Sequence, residues 1–272
     1  MKRFFCPMCN LEATQTSKKL GGYSIYKCED CSLRFAPDAF NVEVSYTSIY
    51  DTQEYVVNHV NMLHNTIDKK YFSEIITYQP FFNLLKDPKG KNLLDVGCGV
   101  GRFCHAAHSL GWNVRGIDIS ARAVEIGNAY ANFALEKCTI EEMAARNVKF
   151  DVITSFEVVE HLVNPLSFLN TCKKMLKPGG KVFLTVPNWH CEQVQNSTHR
   201  DWNPPIHLCF YTEKALIALV EKSGLVSIAS GIIWSDAKPR NSIKAAKWLV
   251  RRIMGRKNEP LGLWVCASNS EL

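Results

Sequence analysis

The stretch "KNLLDVGCGVGRF", Lys91 to Phe103, decides the fold. Asn92–Val96 is a short apolar run of strand length, Gly97, Gly99 and Gly101 follow at alternate positions, and Arg102 to Leu110 carries a helical pattern. A strand that passes through glycines into a helix can turn tightly and let its backbone approach a ligand, with free N–H groups waiting in the first helical turn. The glycines are spaced GxGxG, without the final spacing of the GxGxxG used by dinucleotide enzymes. Asp95 lies at the strand end just before the first glycine, where a carboxylate can take an amino group. A second strand, "NVRGID", ends in Asp118 about twenty residues on, the separation expected of an acid that grips ribose hydroxyls.

Those three details favour S-adenosylmethionine (SAM), whose methionine amino group and ribose would meet Asp95 and Asp118. Downstream, "FDVITSFEVVEHL" supplies a further strand, Asp151–Ser155, and "MLKPGGKVFLTVPN" a helix ending at a Pro-Gly-Gly turn and then another strand. With "LLDVGCGVG" and "GID", these segments resemble the successive motifs of class I SAM-dependent methyltransferases, in the same order, over roughly residues 90–235. The resemblance implies an α/β fold: a Rossmann-like sheet of seven strands with helices on both faces and the last strand antiparallel. Its final pair would be "LVSIASGIIW" and "LGLWVCAS". It further implies that Asp95, Gly97, Gly99 and Asp118 bind the cofactor, together with Ile119 and Phe156, and that Thr139 and Ile140 flank the adenine. Many members carry an acid near position 138; this chain has Cys138 there.

"FEVVEHL", Phe156 to Leu162, begins where the fourth strand of that sheet stops, and ligands of open α/β sheets gather at the carboxyl ends of strands. A helical turn would put Glu157, Glu160 and His161 on one face. Two carboxylates and an imidazole suit Mg²⁺, Mn²⁺ or Fe²⁺. The ExxEH is similar to that of ubiquinone-pathway and small-RNA O-methyltransferases, which implies a divalent ion, and the RNA enzymes add a downstream histidine, here His207. Two other readings stay open: His161 as a metal-free base or positioning group, and an ordinary i, i+4 charge pair. The segment 187–212 follows the fifth strand and reads as a lid over the acceptor. Its Trp189, Trp202 and Tyr211 are candidates for stacking on a sugar or base, or for packing. Its "WNPPIH" resembles a pattern of methyltransferases from surface-polysaccharide and lipid-linked sugar pathways.

At the front, Cys6 and Cys9 form one CxxC and Cys28 and Cys31 another, eighteen residues apart. Two such knuckles close a tetrahedron around zinc, and a four-thiolate site leaves no open position, so the metal is expected to be structural. Gly21 and Gly22 suit the hairpin turn between them. The expected organisation is a zinc ribbon (1–42), a helical lead-in or cap (43–88) and a SAM-binding domain (89–272). A basic helix is expected at 238–257, where eight residues are Lys or Arg and none is acidic.

The net charge of +6 is modest, so RNA is disfavoured as partner, while the basic helix could touch an anionic membrane. Eleven cysteines, an odd number with several inside apolar runs, point to a reducing compartment, the cytoplasm. No signal peptide or membrane span is expected. The functional expectation is O-methylation of a small-molecule, sugar-containing or lipid-linked acceptor. The alternatives are an RNA methyltransferase, a sugar C- or N-methyltransferase, and a non-catalytic SAM-binding adaptor.

Overall fold

The computed structural model describes residues 3–42, 52, 57–64, 75–196, 202–235 and 259–269. The expected basic helix at 238–257 lies outside them, as does much of the expected lead-in, of which 57–64 is helical. The chain opens with an antiparallel hairpin, β1 (Thr14–Leu20) and β2 (Tyr23–Lys27), turned by Gly21 and Gly22 at φ of 54° and 89°. Two successive positive φ values make the tight turn whose twist matches its strands. A two-residue strand, β3 (Arg34–Phe35), pairs with β2, and helix α1 (Gln79–Leu84) falls within the expected lead-in.

The main sheet begins with β4 (Asn92–Val96), then α2 (Arg102–Ser109), β5 (Asn113–Asp118), α3 (Ala121–Asn128) and β6 (Ala134–Lys137). Next come α4 (Ile140–Ala145), β7 (Phe150–Phe156), α5 (Pro165–Met175) and β8 (Leu176–Pro187). After the short α6 (Glu192–Gln195) and β9 (Cys209–Phe210), α7 (Glu213–Lys222) leads into β10 (Val226–Trp234) and β11 (Pro260–Ser268). The order across the seven strands is β10-β11-β8-β7-β4-β5-β6, with β11 antiparallel to both its neighbours and the other pairs parallel. This is the architecture and the final strand pair expected from the sequence.

Period-two alternation puts an apolar residue on each face of the central strands. Leu93, Val152 and Phe183 join Phe81, Phe103 and Trp112 on one side; Leu94, Ile153 and Val182 join Leu169, Cys172 and Leu216 on the other. The helix before β8 stops at Met175, and Leu176 already pairs with Phe150, so the Pro-Gly-Gly turn is an irregularity inside the strand pairing. The chain winds from β4 through β5 to β6 and then returns to β7 on the other side of β4. That reversal opens a crevice beyond the carboxyl ends of β4 and β7, where ligands bind in such sheets.

The ribbon does not stand apart. β9, which belongs to the segment after β8, pairs with β3 and completes a second sheet in the order β1-β2-β3-β9. Cys6, Cys28, Cys31, Leu33 and Phe35 share one apolar cluster with Leu216, Leu219 and Val220 of α7. Lys222 of α7 pairs with Asp30 between the ribbon's second pair of cysteines at 3.1 Å.

Candidate functional site

A cavity of about 620 Å³ fills the crevice. Its floor is the glycine loop. Gly97 has φ of 78° and lies so near β7's exit that a Cβ there would stand 2.4 Å from Val158 Cγ2; Gly99 has φ of 53° and faces open space. A side chain at 99 would project into the cavity. Asp118 lines the cavity and fixes the loop: its Oδ2 accepts the Gly99 N–H and its Oδ1 the Ser120 N–H, each at 2.8 Å. Burial raises its carboxyl above the ordinary range, against the pull of these N–H groups. Ile119, Thr139, Ile140 and Phe156 also line the cavity. Thr139 caps α4 reciprocally with Glu142, which fixes the backbone where adenine is expected. Cys138 lines the same wall, and Glu141, in the first turn of α4, puts a carboxylate there that the sequence reading did not single out.

Asp95 is placed differently from its expected contact with the methionine amino group. Its side chain is 2% exposed and lies beneath the loop, where Oδ1 accepts the Thr154 hydroxyl at 2.7 Å and Oδ2 the Cys104 thiol at 3.6 Å. Burial pushes its carboxyl up to about 7. It braces β4, β7 and α2 and does not line the cavity. Residues missed by sequence reasoning cover the opposite rim: His59 and Met62 from helix 57–64, Tyr78, and Arg102 at the start of α2. Tyr78 packs edge-on against Phe103 and Phe156 at 5.1 and 4.9 Å. The aromatic run "YQPFF" was the available signal.

The turn after β7 is tighter than an α-helix. Glu157 has φ of 57°, and Val159–His161 is a 3₁₀ turn. Glu157, Glu160 and His161 therefore do not share one face. Glu157 and His161 line the cavity, whereas Glu160 turns inward and is 1% exposed. Glu157 is open to the cavity yet deep within the molecule, so the surrounding protein pushes its carboxyl up to about 7 while the Thr185 hydroxyl, donating to Oε1 at 2.8 Å, opposes the shift. Burial and then the nearby Glu157 charge raise Glu160 well above the carboxylate range. Neither Glu160 oxygen has a hydrogen-bond partner among the described residues.

Facing that carboxylate are two imidazoles. His161 Nε2 is 3.9 Å from Glu160 Oε1, and the His161 and His207 rings meet edge-on at 4.6 Å. His161 Nδ1 is 2.9 Å from the Ile206 carbonyl, which can only accept, so Nδ1 carries a proton toward it; the ring is also engaged by the Glu157 backbone. One donor atom each from Glu160, His161 and His207 lie within 4.8 Å of one another. A buried, unpartnered carboxylate beside two nitrogens, one oriented by a backbone carbonyl, fits a divalent cation. Glu157 is outside this set. Trp189 and Tyr211 are packing residues: Trp189 is 8% exposed and stacks beneath Arg34 at 4.9 Å, and Tyr211 is fully buried.

The four front cysteines are also brought together, with donor atoms within 4.8 Å and Cys6 Sγ 3.6 Å from Cys31 Sγ. Sulfurs about 2.3 Å from a tetrahedral zinc would stand about 3.8 Å apart, so the cluster fits that ion. The two knuckles match. Cys6 N–H donates to Leu11 O and Cys28 N–H to Leu33 O, while Asn10 and Ser32, each just after its second cysteine, have φ of 55° and 64°.

Residues 67–230 match the family model described as a methyltransferase domain. With the seven-stranded sheet, its cradle and the ordered motifs, the chain belongs to the SAM-dependent methyltransferase domain family. Ubiquinone biosynthesis O-methyltransferase of Cereibacter sphaeroides is 31% identical over 156 residues, covering 50% of this chain and 61% of that protein. The protein of the same name from Actinobacillus pleuropneumoniae is 38% identical over 109 residues, 36% of this chain and 47% of its own. The chain thus spans about three-fifths or less of the length of these relatives. In fold it is similar to a SAM-dependent methyltransferase of Mesorhizobium loti, at TM-score 0.56, 17% identity and coverage of 71% of this chain and 98% of that one. A chain from the complex of the Haloferax volcanii Trm112 methyltransferase activator with a methyltransferase gives 0.61 and 15%, covering 85% and 100%.

Proposed function

We propose that this protein transfers the methyl group of SAM to a hydroxyl oxygen of a small-molecule, sugar-containing or lipid-linked acceptor, and that Glu160, His161 and His207 hold a divalent ion beside that hydroxyl. The observation that carries the reading is the Glu160 carboxylate, buried without a partner and facing two imidazoles. A buried polar group of this kind is kept when it is hydrogen-bonded or coordinates a metal. The similarity to ubiquinone biosynthesis O-methyltransferases supports oxygen as the acceptor atom.

Asp118 would take the ribose hydroxyls, and the loop at Gly99 would admit the methionine portion. The sulfonium methyl would then lie toward Glu157 and His161, which line the same cavity. The acceptor oxygen then attacks in line: the C–O bond forms, the C–S bond breaks, and S-adenosylhomocysteine leaves as a neutral thioether. Glu160, His161 and His207 would hold the divalent ion, which would supply Lewis acidity to lower the pKa of an acceptor hydroxyl. Glu157, the cavity-facing carboxylate with a raised pKa, receives the hydroxyl proton. The two imidazoles favour a transition ion such as Mn²⁺ over Mg²⁺.

Manganese paramagnetic resonance tests this. The zinc-loaded protein should bind one Mn²⁺ per chain at the cluster, and Glu160→Gln should lose it while SAM affinity, measured by calorimetry, is kept. Equal Mn²⁺ uptake by the variant would overturn the assignment.

A further inference from the structure

We infer that the four-cysteine ribbon is a positioning element for the acceptor cluster: it clamps β9 and thereby holds His207 against His161 and Glu160. The inference rests on the proposed role of those three residues. Leu208 is the bridge. Its carbonyl accepts the Ala36 N–H from the ribbon at 3.0 Å, and its own N–H donates to the Glu160 carbonyl at 2.8 Å. On one side of Leu208 is His207; on the other is β9, whose Cys209 and Phe210 pair with Phe35 and Arg34 of β3. β3 begins three residues after Cys31, so a metal at the second knuckle fixes its start.

The Cys209 Sγ donates to the Leu162 carbonyl at 3.5 Å, just past the turn that carries Glu160 and His161. The Tyr211 hydroxyl adds a bond to the Val159 carbonyl at 3.4 Å, inside the turn that carries Glu160 and His161. A strand of two residues has little stability of its own, and β3 is its partner in the sheet. The ribbon in turn has a small core, to which a bound metal adds folding free energy. Among the described residues, no strand of the ribbon sheet pairs with β4, β5 or β6, which carry the cofactor cradle. Metal in the ribbon should therefore govern the geometry of His207 and leave SAM binding intact.

The test uses the full chain and reads the imidazoles directly, by long-range nitrogen-15 spectra of His161 and His207, with SAM affinity measured in parallel. In Cys28→Ser, zinc analysis should show loss of the ion, the His207 signals should shift or broaden, and SAM affinity should hold. Phe35→Ala keeps all four cysteines and guards against a Cys28→Ser protein that does not fold. It should retain zinc, move the His207 signals and lower kcat by about tenfold to a hundredfold with KM for SAM unchanged, as for misplacement of a reacting group by a fraction of an ångström. Phe35→Leu should restore both readouts. Spectra of Phe35→Ala that superpose on those of the parent would overturn the inference. The spectra need no acceptor, so they report on the coupling separately from the acceptor chemistry, which a fully active His161→Ala protein would refute.

Discussion

Glu157 and Glu160 are three positions apart and have opposite surroundings, one facing the cavity and one sealed behind it. The spacing in "FEVVEHL" marks a chemical cluster, but a helical turn would have aligned both carboxylates. The left-handed φ at Glu157 and the tighter 3₁₀ turn separate them, and no residue type in the segment announces that turn. Asp95 shows the same limit. Its place before the glycines is readable, whereas its direction depends on Thr154 and Cys104, 59 and 9 residues away. A stability effect follows. In the fold its carboxyl keeps a proton up to about 7, while an unfolded aspartate releases it near about 4. The folded state binds the extra proton, so this contribution is full below about pH 4 and is lost as pH rises through about 7. Asp95→Asn keeps an acceptor for the Thr154 hydroxyl and removes the charge. Urea unfolding should show it more stable than the parent at pH 8, by about 1–4 kcal/mol, with the gain shrinking toward pH 5. A gain independent of pH would refute the burial account.

Among the elements, those with a continuous apolar run were legible: β4 and β5 have the bounds read from "NLLDV" and "NVRGID". β9 was not, because a two-residue strand is created by the edge that β3 presents and leaves no periodicity of its own. The glycine loop was readable as a ligand cradle, and the structure divides its work. At Gly97 a Cβ would strike Val158, the residue that leads into the Val159–His161 turn; at Gly99 it would meet no protein atom. Both positions have positive φ, so each alanine should cost about 1–3 kcal/mol in thermal or urea unfolding. Beyond that shared cost, Gly99→Ala should weaken SAM binding by calorimetry because its methyl group enters the cradle. A Gly99→Ala protein with the parent's SAM affinity would show that the ligand does not approach there.

In the whole molecule, the ribbon and the large sheet share one apolar cluster and exchange a strand, so they are two sheets of one framework. The CxxC pairs made the four-cysteine cluster readable, but not its neighbour, since the contact partner, β9, lies about 180 residues further along the chain. Among the described residues no helix is long and apolar enough to cross a membrane. The fold and cradle define a SAM-dependent methyltransferase domain, and the proposed O-methylation rests on the Glu160, His161 and His207 cluster beside the cavity. The most direct test is to incubate the protein with SAM bearing a carbon-13 methyl group and a small-molecule extract of its native cells. Carbon-13 spectra should show a new methyl resonance in the methoxyl region, and His161→Ala should reduce its rate of formation by about 10²-fold or more. Label appearing on nitrogen or carbon, or methoxyl formation undiminished in His161→Ala, would contradict the account.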